Sequence, residues 1–382
     1  MKIGAVVCEY NPLHNGHCHQ LAVARQTLGL DAIVGIMSGN FVQRGEMALL
    51  PKKVRASAAL SHGMDLVLEL PAVLTLQSAE RYARNAVMTL NALGCVDTLF
   101  FGAESPETEL LMQIATVLAN EDAAWKQALQ EGLSKGLSFA VARSEAVKSL
   151  LGPASAEILN KPNNILGVEY CKALLRLRSN IKPCALPREG AQHHDAAGTG
   201  QFASGTAIRE LLLKEEDASA YVPEDLQELY ASAPKFRMEK MEKALLASLC
   251  MKTPEELCNI ADVSEGLEYA LPRNAFLAEN LEELILGVKS KRYAYSRIRR
   301  IILNAYLGIT RTDGDLTPSY IRILDFNETG QQVLHLAKET ATLPLAKNGA
   351  QIKDIPAALN LWQRELTFDK VYQLFLDEKG VC

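Results

Sequence analysis

The sequence predicts an α/β fold, a doubly wound parallel sheet followed by a mostly α-helical domain. Three observations carry that expectation. Short apolar runs alternate with helical patterning through the first third of the chain. Each run ends in small or polar residues, as strands do where a ligand meets their carboxyl ends. Beyond about Pro234 the strand signal fades and helical periodicity dominates.

Taken in order, Ile3–Cys8, Ala32–Met37, Leu66–Leu70 and Thr98–Phe101 are apolar enough for buried parallel strands. Helices are expected between them over His17–Leu28, Lys52–His62 and Gln77–Leu93. Mixed helices fill 106–178. Ile181–Pro187 reads as one more strand, and its prolines favour a sheet edge. Gly190 to Gly205 is rich in Gly, Ala, His and Ser and reads as a mobile loop, a candidate lid. A helix resumes over Thr206–Leu213, and further helices are expected over Met238–Cys250, Glu279–Val288, Tyr295–Leu307, Gly330–Glu339 and Ile355–Glu365. The expected division is an α/β domain over 1–230 and a helical domain over 231–382.

Bulk composition excludes little. The 382 residues favour two or three domains, and 48% hydrophobic with 22% charged residues is ordinary for a globular protein. A net charge of -5 gives no overall sign of a nucleic-acid binder, although a local basic patch is compatible with it. No apolar run is long enough to cross a bilayer, and no signal peptide precedes the first strand. With the 8 cysteines scattered, a reducing cytoplasm is the expected location.

The most informative string is His14-Asn15-Gly16-His17, directly after the first strand. It places two imidazoles where a strand hands over to a helix N-terminus, the end of a helix that attracts phosphate. Gly16 leaves room for a flat ring, and the histidines can donate hydrogen bonds to phosphate oxygens as charge builds on them. A metal cluster of Cys8, His14, His17, Cys18 and His19 is the competing reading. His193-His194-Asp195 is the one other candidate group, and no Cys-x-x-Cys exists.

A second constellation, Ser204-Gly205-Thr206-Ala207-Ile208-Arg209, opens the helix after the Gly-rich loop. Ser204 or Thr206 can cap free N–H groups that also bind phosphate, and Arg209 can meet an anion one turn in. Read alone, the pattern is an ordinary N-cap beside a surface arginine. Paired with His-x-Gly-His, it resembles the Rossmann-like, HxGH-type nucleotidylyltransferase superfamily.

Longer strings narrow the resemblance. Val7-Cys8-Glu9-Tyr10-Asn11-Pro12-Leu13-His14-Asn15-Gly16-His17, Ser38-Gly39-Asn40-Phe41-Val42-Gln43-Arg44-Gly45-Glu46, Asp65–Pro71, Phe101-Gly102-Ala103-Glu104, Asn160–Tyr170 and Lys289-Ser290-Lys291-Arg292-Tyr293 are together similar to the bacterial tRNA(Met) cytidine acetate ligase family. The resemblance implies ATP-dependent activation of acetate as acetyl-adenylate. The acetyl group then passes to N4 of the wobble cytidine of elongator tRNA(Met).

The resemblance further implies an ATP-binding segment from Val7 to Gln20 (with Cys18 and His19 inside it), together with Gly102, Asn163 and Arg188. The chemistry of the residues agrees. Gly102 ends a strand where a side chain would obstruct a nucleotide. Asn163 can both donate and accept, although it also suits a helix cap. Arg188 ends the late strand and can meet phosphate. Ser38, Gly39, Asn40, Gln43 and Arg44 follow the second strand and are assigned to acetate or the incoming cytidine, with a plain turn as the alternative. Lys52 and Arg55 lie at neighbouring positions on the next helix and read as solvated residues, with phosphates or RNA as the alternative partners. Glu69 and Glu104 are weaker candidates for Mg²⁺ or the substrate amine, and no direct metal ligand is expected.

The expected mechanism is in-line attack of an acetate oxygen on the α-phosphate. His14 and His17 stabilise the developing charge, while Arg209 and Mg²⁺ help pyrophosphate leave. The cysteines read as packing residues. Lys289, Lys291, Arg292, Tyr293, Arg297 and Arg300 form a basic, tyrosine-bearing segment expected to bind tRNA. Two other readings remain open from the sequence. One is a small-molecule nucleotidylyltransferase acting on a phosphorylated metabolite. The other is a non-catalytic RNA-binding protein on a retired core.

Overall fold

The computed structural model describes residues 1–188, 203–264, 266–290 and 293–377. Most of the predicted Gly-rich loop, His193-His194-Asp195, Lys291 and Arg292 lie outside the described residues.

Among the described residues the main sheet has seven strands: β1 (Ile3–Cys8), β2 (Ala32–Ser38), β5 (Leu66–Leu70), β6 (Thr98–Ala103), β7 (Lys182–Pro187), β8 (Ile321–Phe326) and β9 (Leu345–Ala346). Between β2 and β5, the short strands β3 (Phe41–Val42) and β4 (Glu46–Met47) form a separate antiparallel hairpin. The spatial order is β7-β6-β1-β2-β5-β8-β9. β7 through β5 run parallel, so the order reverses at β1, and a crevice opens between the carboxyl ends of β1 and β6.

The sheet is doubly wound because its strands are apolar on both faces. Ile3, Ala5, Val34, Ile36, Leu66 and Leu68 face one core, which the helices Ala79–Leu93, Thr108–Asn120 and Pro162–Leu177 help to cover. Val6, Cys8, Ile33, Met37 and Val67 face the other, beneath the helices Asn15–Leu28, Lys52–Ser61 and Gly205–Lys214. β1 and β5 match the sequence expectation in extent, β2 and β6 run one and two residues further, and β7 is the expected proline-bearing edge.

The fading of strand signal after Pro234 is corrected by β8 and β9. β8 pairs antiparallel with β5, so the last part of the chain returns to the first sheet. The alternation Ile321-Arg322-Ile323 was the available signal. It is short, and a charge lies at its centre.

Lys52 and Arg55 are also corrected, since both are buried. Lys52 Nζ lies 2.6 Å from Glu69 Oε1 and 2.6 Å from Asp369 Oδ2, with Glu365 3.9 Å away. Arg322 Nε adds a contact of 2.9 Å to Glu69 Oε2. Arg55 donates to the carbonyls of Leu50, Glu9, Ser38 and Gly39, and so ties the ends of β1 and β2 together. Their positions with Ala56 and Ala59 at i, i+3, i+4 and i+7 mark one helix face, and that face is the buried one.

Candidate active site

A cavity of about 270 Å³ occupies the crevice at the carboxyl ends of β1 and β6. Its floor is the turn after β1, and its walls come from distant segments: the β3–β4 hairpin, Gly102, Asn163, Arg188 and the start of the helix Gly205–Lys214.

His14 caps the helix Asn15–Leu28. Its Nδ1 accepts the Gly16 N–H at 3.1 Å, which leaves the proton of a neutral ring on Nε2. Burial, assisted by the Arg188 charge, pushes the His14 pKa down from 6.5 to about 4, so the ring is neutral at pH 7. His17 stacks on it with ring centroids 3.8 Å apart, and Tyr10 packs against His17 at 4.7 Å. A neutral imidazole presenting Nε2–H at a helix N-terminus can donate to a phosphate oxygen without itself changing protonation state.

The second constellation meets the first through Arg209. Its Nη1 donates to the Asn11 carbonyl at 2.9 Å, and Nη2 lies 3.1 Å from Thr206 Oγ1 and 3.5 Å from Glu46 Oε2. Ser204 caps the same helix by accepting Ala207 N–H at 3.2 Å. Across the crevice, a Cβ on Gly102 would lie 3.1 Å from Gln20 Nε2 and narrow the space. Asn163 Nδ2 donates to Glu104 Oε1 at 2.7 Å, while the backbone N–H of Asn164 takes Oε2 at 2.9 Å. Glu104 therefore braces a helix start. Glu69 is spoken for by Lys52 and Arg322. Neither carboxylate is disposed toward the cavity as a metal ligand.

Of the residues expected from sequence, Val7, Cys8, Glu9, Tyr10, Asn11, His14, Gly16, His17, His19, Gln20, Gly102, Asn163, Arg188, Thr206, Arg209, Gln43 and Arg44 line the cavity. The others serve the frame. Leu13 is core, Cys18 packs beside it, and Asn15 bonds Tyr221 and Ala220 carbonyls. Pro12 is buried in the turn. Burial pushes the Cys18 thiol up to about 11, which suits packing rather than nucleophilic attack.

Ser38, Gly39 and Asn40 do not line the cavity. The Asn40 side chain bonds Asp369 at 2.9 Å and the Lys52 backbone N–H at 2.9 Å, and Ser38 Oγ lies 3.4 Å from Tyr82 OH. Gly39 abuts Glu69 and Glu365. Gly39 and Asn40 thus face the buried ion cluster, while Ser38 sits against Tyr82 of the cavity wall. Gln43 and Arg44, one hairpin further on, reach the crevice.

The basic segment is likewise divided by its contacts. Arg300 is buried with its Nε 3.4 Å from Asp262 Oδ2, and Arg297 donates to the Asp262 carbonyl at 2.9 Å and Ser264 Oγ at 2.7 Å. Both are braces within the helical region, while Lys289 is exposed. Arg299, next to them, pairs with Glu46 of the hairpin. Gly45 makes that contact possible: its φ is +78°, and a Cβ there would collide with the backbone of Arg299 and Arg300. Sequence reasoning missed Glu46, Tyr82 and Tyr170, whose roles depend on long-range contacts.

The family comparison fits this geometry. The HIGH Nucleotidyl Transferase family model matches residues 1–380, and the chain is a member of that class of proteins. Within the class, it belongs to the tRNA(Met) cytidine acetate ligase family. The tRNA(Met) cytidine acetate ligase of Thermoanaerobacter sp. is 36% identical over 395 residues, covering 100% of this chain and 97% of the relative. That of Caldanaerobacter subterraneus subsp. tengcongensis is 38% identical over 388 residues, covering 98% and 95%. The apo crystal structure of Thermotoga maritima TmcAL aligns with a TM-score of 0.93 at 34% identity, covering 98% of this chain and 95% of that one. The form bound with alpha-thio ATP aligns at 0.91 and 34% identity, covering 100% and 96%.

Proposed function

We propose that this protein is an ATP-dependent ligase that converts acetate to acetyl-adenylate and acetylates N4 of the wobble cytidine of elongator tRNA(Met). The observation that carries this reading is the meeting of His14, His17, Gly102, Arg188, Thr206 and Arg209 around one crevice. Membership of a family whose relatives are named for this activity supplies the substrates.

ATP enters with its phosphates toward the helix N-terminus. An acetate oxygen attacks the α-phosphorus, the α–β bridging bond breaks, and pyrophosphate leaves with the bond pair. His14 and His17 donate to the oxygens that gain charge, and Arg209 and Arg188 meet the leaving phosphates. Gln43 and Arg44 border the crevice where acetate can be held. The cavity's carboxylates among the described residues are Glu9 and Glu46, and Glu46 is taken up by two arginines. Mg²⁺ therefore has no carboxylate pair to hold it there, and it is assigned to the triphosphate as counter-ion. The tRNA is assigned to the surface around Lys289 and Tyr293, on the helical side of the hairpin. No described helix is long and apolar enough to cross a membrane.

The test is pyrophosphate release from ATP with acetate, followed by acetyl transfer to elongator tRNA(Met). The reading requires both. Turnover that needs a phosphorylated metabolite and ignores acetate and tRNA would establish a small-molecule nucleotidylyltransferase instead.

A further inference from the structure

The second half-reaction needs a group that takes a proton from the attacking amine. Glu9 stands in the cavity. We propose that its carboxylate accepts the proton released by the cytosine amine as the acetyl group is transferred, which makes Glu9 a catalytic base. The proposal rests on the ligase reading above.

Four observations support it. Glu9 leaves the end of β1 into the cavity, one residue before the Tyr10 ring that packs on His17. Its Oε1 is anchored by the Gln43 N–H at 2.8 Å, and Arg55 holds its backbone carbonyl, so the group has a fixed orientation. The other cavity carboxylate among the described residues, Glu46, is paired with Arg209 and Arg299. The cavity wall also carries Tyr82, Phe101, Leu166 and Tyr170, flat and apolar surfaces suited to a pyrimidine ring.

The chemistry requires such a group. The N4 lone pair is delocalised into the ring, so the amine is a weak nucleophile. As it attacks, the N–C bond to the acetyl carbon forms and the carbonyl pair shifts to oxygen. That pair returns as the bond to the AMP oxygen breaks, and AMP leaves with the bonding electrons. The nitrogen, now electron-poor, gives one proton to Glu9, which passes it to solvent. Burial raises the pKa of Glu9 above the usual carboxylate range and strengthens it as a base. The charged and titratable groups facing it are Arg44 and Glu46 on the hairpin, Arg55 on its helix, and Tyr82 and Tyr170 on theirs. His14 is unsuited to the task, because its Nδ1 is already engaged and its Nε2 carries the proton.

The experiment compares two fates of the adenylate made from ATP and acetate: transfer to elongator tRNA(Met), and capture by hydroxylamine, a strong nucleophile that needs no base. Glu9→Gln keeps an oxygen acceptor for Gln43 N–H and so preserves the anchor. Its ratio of tRNA acetylation to hydroxamate formation is expected to fall about 100-fold, with loss of the acid limb of the transfer pH profile. Glu9→Asp is expected to recover part of the ratio. A ratio within about threefold of wild type, or parallel loss of both products in both variants, would overturn the proposal. Wild-type enzyme that forms no acetate-dependent hydroxamate would instead sink the ligase reading itself.

Discussion

His14 and Gly16 are joined by a hydrogen bond of 3.1 Å from the glycine N–H to Nδ1, so one side chain both caps the helix and faces the crevice. Burial and the nearby Arg188 charge keep the ring neutral, and this has a consequence for stability. The folded pKa is depressed to about 4 from 6.5, so the unfolded chain binds the proton more readily between those values. Stability is complete above pH 6.5 and is lost as pH falls toward 4. Urea unfolding of the ligand-free protein at pH 7 and pH 4.5 is expected to show this loss. His14→Asn, which retains a capping acceptor, is expected to remove a contribution on the order of 3 kcal/mol to the pH dependence.

His17 stacks on that ring and is assigned to the α-phosphate. His17→Ala is expected to lower acetate-dependent pyrophosphate release by about 10²–10³-fold while leaving the circular dichroism spectrum and the melting temperature near wild type. Full activity in this variant would remove the paired imidazoles from the mechanism.

Glu46 links the crevice to the helix Tyr295–Leu307 by holding Arg209 on one side and Arg299 on the other. Glu46→Gln leaves both guanidinium groups without a charged partner. Pyrophosphate release is expected to fall about tenfold, the scale of one lost charge-assisted contact. Unchanged kinetics for ATP would show that Arg209 is positioned by Asn11 and Thr206 alone.

Glu365 is buried against Glu69, and its pKa is raised from 4.5 to about 8, chiefly by burial and then by the Glu69 charge. The folded state therefore keeps a proton that the unfolded chain has released. The associated stability is complete below pH 4.5 and is lost as pH rises to about 8. Glu365→Gln retains an oxygen for the Ala72 N–H and an uncharged donor toward Glu69. Its melting temperature relative to wild type is expected to rise between pH 5.5 and 8.5, and a constant difference would refute a neutral Glu365.

Lys289 is exposed, while Arg300 is a buried partner of Asp262. Lys289→Glu is expected to weaken tRNA binding with the melting temperature unchanged, and to reduce the salt dependence of binding by about one phosphate contact. Arg300→Glu is expected instead to lower the melting temperature, because it sets two carboxylates against each other out of water.

Much of the site was legible before any coordinates. His-x-Gly-His after an apolar strand, and Ser-x-Thr-x-x-Arg at a later helix start, carry their chemistry in local spacing. Strand ends, caps and helix starts are decided by neighbouring residues, and both strings fell where expected. The core strands were equally plain, because strands buried on both faces need unbroken apolar runs.

What the tertiary structure decided was which polar residues are consumed by the fold. Lys52 and Arg55 look solvated in sequence and Arg297 and Arg300 look free for RNA, yet each finds a partner far along the chain or in a neighbouring loop. Gly39 and Asn40 look like part of a substrate loop and instead face Glu69, Glu365 and Asp369, because β8 and the helix Pro356–Gln373 return to the sheet beside them. The sequence by itself determined the α/β core and the two motifs that line the crevice, since these follow from short-range periodicity and composition. Which charges stay available for substrate depended on long-range pairing, because a buried charge is tolerated only where the folded chain brings its counter-charge.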